Sequence, residues 1–255
     1  MRNTASDLVN LLFASRAKRK LALLRVHKTG SKSFRTALRK SYLQLECSPL
    51  EYSTTVTAKA LEGKSFISPH LALAQWQALE GAADWVVAVT MREPRARLRS
   101  AFRYFKGKRG SNPLQVGELL ANMDYRDFLL SDHPVLIGLK DNVLTRFLGG
   151  GQFGTQTETR NQLYLPEGLE LQTAELAASD NLKTGLVLPL ILENRKDSIS
   201  ALCRVIGVNR VPAIGWQNRT TDGAQIAVTP EIAALEEAFV GHDVRVYAEA
   251  VKRLS

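Results

Sequence analysis

Twice in this chain a short apolar run meets a basic residue and turns at once into an amphipathic helix. Residues 21–27 (LALLRVH) lead through Lys28 and Gly30 into 31–40, where Phe34, Ala37, Leu38 and then Tyr42 recur at spacings of three and four. Residues 85–91 (WVVAVTM) lead through Arg92 to Pro94, a residue suited to a helix's first turn; Leu98, Ala101, Phe102 and Phe105 then share one side of 95–106. Strands this apolar offer no face to water, so each belongs in a sheet covered on both sides. Strands joined by helices run parallel. Two weaker runs extend the pattern: 64–68 (KSFIS), stopped by Pro69, and 186–192, where Pro189 lacks a ladder donor and indicates an edge position. Further helices are predicted over 71–80, 114–122, 125–131, 142–148, 171–181, 195–206 and 229–254, with a hard break at 149–151. The expected architecture is α/β, with a central, mostly parallel sheet flanked by helices.

The first turn reads Lys28-Thr29-Gly30-Ser31-Lys32-Ser33. Gly30 permits close backbone approach, and the new helix offers free N–H groups and the positive end of its dipole. Lys28 and Lys32 add charge; Thr29, Ser31 and Ser33 add hydroxyls. In chemical terms this is a phosphate cradle, although an ordinary polar turn has similar composition. It is not the G-x-x-x-x-G-K-[ST] loop of nucleotide hydrolases, because the first glycine is missing. The second turn places Arg92 at a buried strand's end and Ser100 eight residues on, two turns into the next helix. An arginine fork and a hydroxyl so spaced can clamp one phosphate. The plain alternative is a strand-end arginine paired to a nearby acid. Together the turns set two phosphate sites at the tips of neighbouring parallel strands, where open α/β sheets bind ligands.

Charge agrees without deciding the matter. Lys plus Arg number 34 against 25 Asp plus Glu, a net charge of +9, which favours anionic partners and equally fits a merely soluble basic surface. Cys47 and Cys203 form no metal or redox spacing. They suit a reducing compartment, with one long-range disulfide still open. No apolar stretch has membrane-spanning length, and the basic cluster at 16–20 follows the apolar run 8–13, the wrong side for a signal peptide. A cytoplasmic chain folding as one domain over 1–255, with 1–20 as a helical lead-in, is the expectation. His133 and His242 lie in ordinary polar contexts, and Trp76, Trp85 and Trp216 are expected as core or loop anchors.

These residues resemble a known family. Residues 27–34 resemble the 5′-phosphosulfate loop of sulfotransferases that use 3′-phosphoadenosine 5′-phosphosulfate (PAPS). Residues 92–104 (REPRARLRSAFRY) resemble their 3′-phosphate motif. Ser68-Pro69-His70, the segment 141–148 and the tail with Asp243-x-x-x-Tyr247 are similar to the carbohydrate, heparan sulfate 2-O-like, group. Two departures stand out: His27 replaces the usual Pro, and Lys32 replaces a Thr. The resemblance implies a P-loop-like domain and sulfuryl transfer from PAPS to a hydroxyl, on a carbohydrate, without metal. It gives Lys28 the leaving oxygen, residues 28–33 the 5′-phosphosulfate, and Arg92 with Ser100 the 3′-phosphate. His70 becomes the base, with Glu93 and Glu46 weaker choices. Asn142, Arg146, Lys106 and Arg109 are candidates for meeting an anionic acceptor; for the basic loop 106–109 a solvated charge run is the competing reading. No nucleic-acid partner is expected. A nucleotide-dependent P-loop kinase and a non-catalytic polyanion-binding protein remain the alternatives.

Overall fold

The computed structural model describes residues 17–48, 56–107, 116–154, 162–209 and 226–254. Four parallel strands form its main sheet: β1 (Leu21–Arg25), β2 (Phe66–Ile67), β3 (Val86–Met91) and, last in the chain, β6 (Leu188–Ile191). Their order is β2-β1-β3-β6, with Leu21 opposite Val86 and Arg25 opposite Thr90. The predicted α/β class with a central parallel sheet is therefore the observed one. Pro189 sits in β6, at one edge of this sheet, as its missing N–H requires.

Alternate residues of each central strand enter opposite halves of the core. Leu21, Leu23, Val86 and Ala88 pack with Phe34 and Leu38 of α1 (Ser31–Arg39) and with Leu202 and Ile206 of α9 (Arg195–Ile206). Ala22, Leu24, Val87 and Val89 face the other way. They meet α2 (Leu73–Gln77), α7 (Val143–Leu148), α8 (Leu171–Lys183) and α10 (Pro230–Leu254) through Trp76, Phe147, Leu182 and Val246. Full burial of such side chains stabilises by roughly 1.5–3 kcal/mol each, which is why both faces must be covered.

A third apolar cluster lies beyond the sheet. It joins α3 (Pro94–Lys106), α4 (Val116–Leu120), α5 (Tyr125–Leu130) and α6 (Pro134–Lys140) to α10 through Leu98, Phe102, Phe128, Leu136 and Val240. The helix α6 and the short antiparallel pair β4 (Gln152–Phe153) and β5 (Leu163–Tyr164) have no counterpart in the predicted elements. Two polar groups brace this region from inside. Buried Glu236 accepts both prongs of Arg99 at 2.6 Å and the Tyr125 hydroxyl at 2.7 Å. The buried ammonium of Lys140 donates to the carbonyls of Phe128, Leu129 and Ser131, closing the end of α5.

Trp76 and Trp85 stack edge-on in the core, as expected of anchors, while Trp216 lies outside the described residues. Cys47 and Cys203 are both buried, and neither forms a disulfide. Among the described residues, no helix is long and apolar enough to cross a membrane.

Candidate functional site

Parallel pairing brings the carboxyl ends of all four main strands to one edge of the sheet. Because Arg25 faces Thr90 across the ladder, the turns that follow β1 and β3 are neighbours. Arg92 Nη1 donates to the Lys28 carbonyl oxygen at 3.4 Å, so the two phosphate clusters read from separate stretches of sequence occupy one place.

The loop after β1 has a conformation that its composition allows only narrowly. Lys28 has φ 66° and Gly30 φ 73°. A side chain at Gly30 would also collide with Leu192, whose Cδ1 would lie 2.5 Å from the added carbon. Gly30 is the residue before α1, and no side chain caps that helix. Ser33 N and Phe34 N already donate to the Gly30 carbonyl at 3.0 and 3.4 Å, so the N–H groups that α1 can offer are those of Ser31 and Lys32, at the positive end of the helix dipole. Ser31 is half-buried, Lys32 is exposed and Ser33 is buried. Thr29 departs from its expected role as a hydroxyl donor to a ligand. It is buried, its hydroxyl donates to the Val26 carbonyl at 2.7 Å, and it lies 2.6 Å from the Thr90 hydroxyl. Its side chain locks the loop to β3. The Lys28 ammonium sits 3.6 Å from the centre of the Tyr104 ring, a cation–π contact that holds it over α3.

Arg92 lies half-buried between three acids and bases. Burial pushes its guanidinium below the usual arginine range, Glu193 opposes that, and Arg103 adds to it. Its Nε is 3.9 Å from Glu193 Oε1. Ser100 is half-buried one turn before Tyr104, so helical spacing puts it on the face that meets Lys28.

His70 follows β2 and is buried beside the tip of β1. Its Nδ1 is 3.2 Å from the Arg25 carbonyl, which only accepts, so that nitrogen carries the proton and Nε2 the lone pair. The ring stacks on His27 with centroids 4.6 Å apart and planes 15° apart. Burial, then His27, then Arg25 hold His70 well below the usual histidine range. Burial, Arg25, Arg97 and Lys28 push His27 down to about 4. Both rings are neutral at pH 7, and burial makes the His70 imidazole only weakly basic.

Several expected site residues have partners within the chain. Asn142 is buried, and its Oδ1 accepts the backbone N–H groups of His242 and Asp243, which makes it a junction between α7 and α10. Arg146 pairs with Asp141. Lys106 donates to the Met123 carbonyl and lies over Phe102, tying down the end of α3. Arg109 lies outside the described residues. Glu93 caps α3 by accepting from Arg95 and Ala96, and Glu46 accepts from Leu43 N near the opposite end of the sheet, where Ser65 precedes β2. Both carboxylates are engaged by backbone N–H groups.

Tyr104, Arg97, Glu193 and Tyr247 have no role that sequence spacing reveals. Arg97 is buried, with Nη1 on the Leu139 carbonyl and Asp243 as the largest influence sustaining its charge. Glu193 directly follows the Leu192 that packs on Gly30, a clue visible only once β6 is known to end beside β3. No protein-family model matches the chain, and no curated protein matches it.

Proposed function

We propose that this chain is a P-loop-like sulfotransferase that moves a sulfuryl group from PAPS to a hydroxyl, on a carbohydrate. One observation carries the reading: Lys28, the uncapped start of α1, and Arg92 meet at one spot, as a ligand with two separated phosphates requires. In this reading the N–H groups of α1 hold the 5′-phosphate. The Arg92 fork and Ser100 grip the 3′-phosphate, which separates PAPS from nucleotides that lack it. His70 Nε2 takes the proton of the acceptor hydroxyl as its oxygen attacks sulfur in line. The new S–O bond forms as the bond from sulfur to the bridging phosphate oxygen breaks. Lys28 leaves the Tyr104 ring to neutralise that oxygen, and the electron pair departs on 3′-phosphoadenosine 5′-phosphate (PAP). Catalysis of this kind is positioning plus charge stabilisation.

A thermal-shift comparison tests the reading. Stabilisation by PAP without metal supports it. Stabilisation by ATP with Mg²⁺ instead points to a kinase, and by heparin alone to a polyanion binder; either result refutes the sulfotransferase.

A further inference from the structure

We infer that Glu193 and Tyr247 are positioning residues for Arg92, forming a relay through which the closing helix sets recognition of the 3′-phosphate. The inference rests on the donor site proposed above.

Glu193 is pinned from two directions. Its Oε1 accepts the Glu93 backbone N–H at 3.2 Å, and its Oε2 accepts the Tyr247 hydroxyl at 2.9 Å. The carboxylate so held lies 3.9 Å from Arg92 Nε, while Arg92 Nη1 is drawn to the Lys28 carbonyl on its other side. Arg92 Nε is buried and makes no hydrogen bond among the described residues, so Glu193 orients the guanidinium by charge across 3.9 Å, leaving Nη2 and the remaining Nη1 proton for a two-pronged grip on phosphate. An untethered arginine at a strand tip would have to be ordered when ligand binds, at a cost in affinity. The negative charge also opposes the burial that weakens the guanidinium's hold on its proton.

A carboxylate beside a phosphate site would ordinarily repel the ligand. Here Arg92, Arg103 and the positive end of α1 outweigh it, and both of its oxygens already accept hydrogen bonds. The spacing along α10 explains the tail. Asp243 is the main counter-charge of Arg97, and Tyr247, one turn later on the same face, reaches Glu193. One helix face thus steadies Arg92 and Arg97, two of the arginines in the β3–α3 segment.

The test measures affinities of PAP and adenosine 5′-monophosphate, which differ only in the 3′-phosphate, for wild type, Glu193→Gln and Tyr247→Phe. The relay predicts that both variants lose about tenfold of the wild-type preference for PAP and bind the monophosphate unchanged. If Glu193→Gln fails to fold, Tyr247→Phe, which removes one hydroxyl, carries the test alone. A wild type with no preference for PAP overturns the donor site and the relay together. A wild-type preference that survives, or grows, in the variants overturns the relay alone. A parallel loss for both nucleotides also overturns it, because a general structural role would weaken binding without regard to the 3′-phosphate.

Discussion

Among the described residues, two helices are approached through a non-glycine residue in the left-handed region, Asn142 directly before α7 and Lys28 shortly before Gly30 and α1, and they are finished in opposite ways. At α7 the entry residue is Asn142, φ 42°, and the end is closed from within: buried Asp243 accepts from Leu144 N at 3.1 Å and Thr145 N at 2.7 Å. At α1 the entry runs through Lys28, φ 66°, and no side chain caps the helix. The closed end uses its polarity to join two helices. In the proposed reading, the open one offers the N–H groups of Ser31 and Lys32, and the charges around them, to the donor's 5′-phosphate. Strained backbone beside a helix start therefore marks a site only where the protein has not supplied its own anion.

Breaking the closed end should have the largest effect. Asp243→Ala strips two buried N–H groups of their acceptor and leaves Arg97 without its main counter-charge. We expect a loss of about 3–5 kcal/mol in urea unfolding. Little or no change would mean that α7 is not held by this carboxylate. Arg92→Ala acts on the open end and should change stability far less. It should weaken PAP roughly ten- to hundredfold by titration calorimetry. Unaltered affinity would remove Arg92 from the site.

The third effect is smaller and depends on pH. His27 and His70 both have folded values below the unfolded one, so the unfolded chain binds more protons in the interval between them. Their contribution is complete above about pH 6.5, the unfolded value, and diminishes as pH falls, through about 4 for His27. His27→Asn should flatten the fall in unfolding free energy between these limits. An unchanged slope would show that the stack is not what makes the open edge sensitive to acid.

How much of this was legible in the sequence follows the same division. The central strands were, because apolarity at every position leaves one buried arrangement, and the edge role of β6 followed from Pro189. The adjacency of Lys28 and Arg92 followed from parallel pairing of strands joined by helices. The internal partners of Asn142 and Arg146 were not legible, because a polar, basic helix start reads alike whether its anion is internal or external. Asp243, which settles the matter, lies 98 residues from Thr145 in the chain. Glu193 was hidden for the same reason: nothing near it in sequence says that its strand ends against Arg92. Thr29 was assigned to a ligand because a hydroxyl in a turn does not reveal which carbonyl it will find.

The most direct measurement is a crystal structure of the chain grown with PAP. We predict one nucleotide at the carboxyl edge of the sheet, its 5′-phosphate on the first N–H groups of α1 and its 3′-phosphate on Arg92 and Ser100. A nucleotide that touches only one of these tips, or lies elsewhere on the molecule, would contradict a shared donor site.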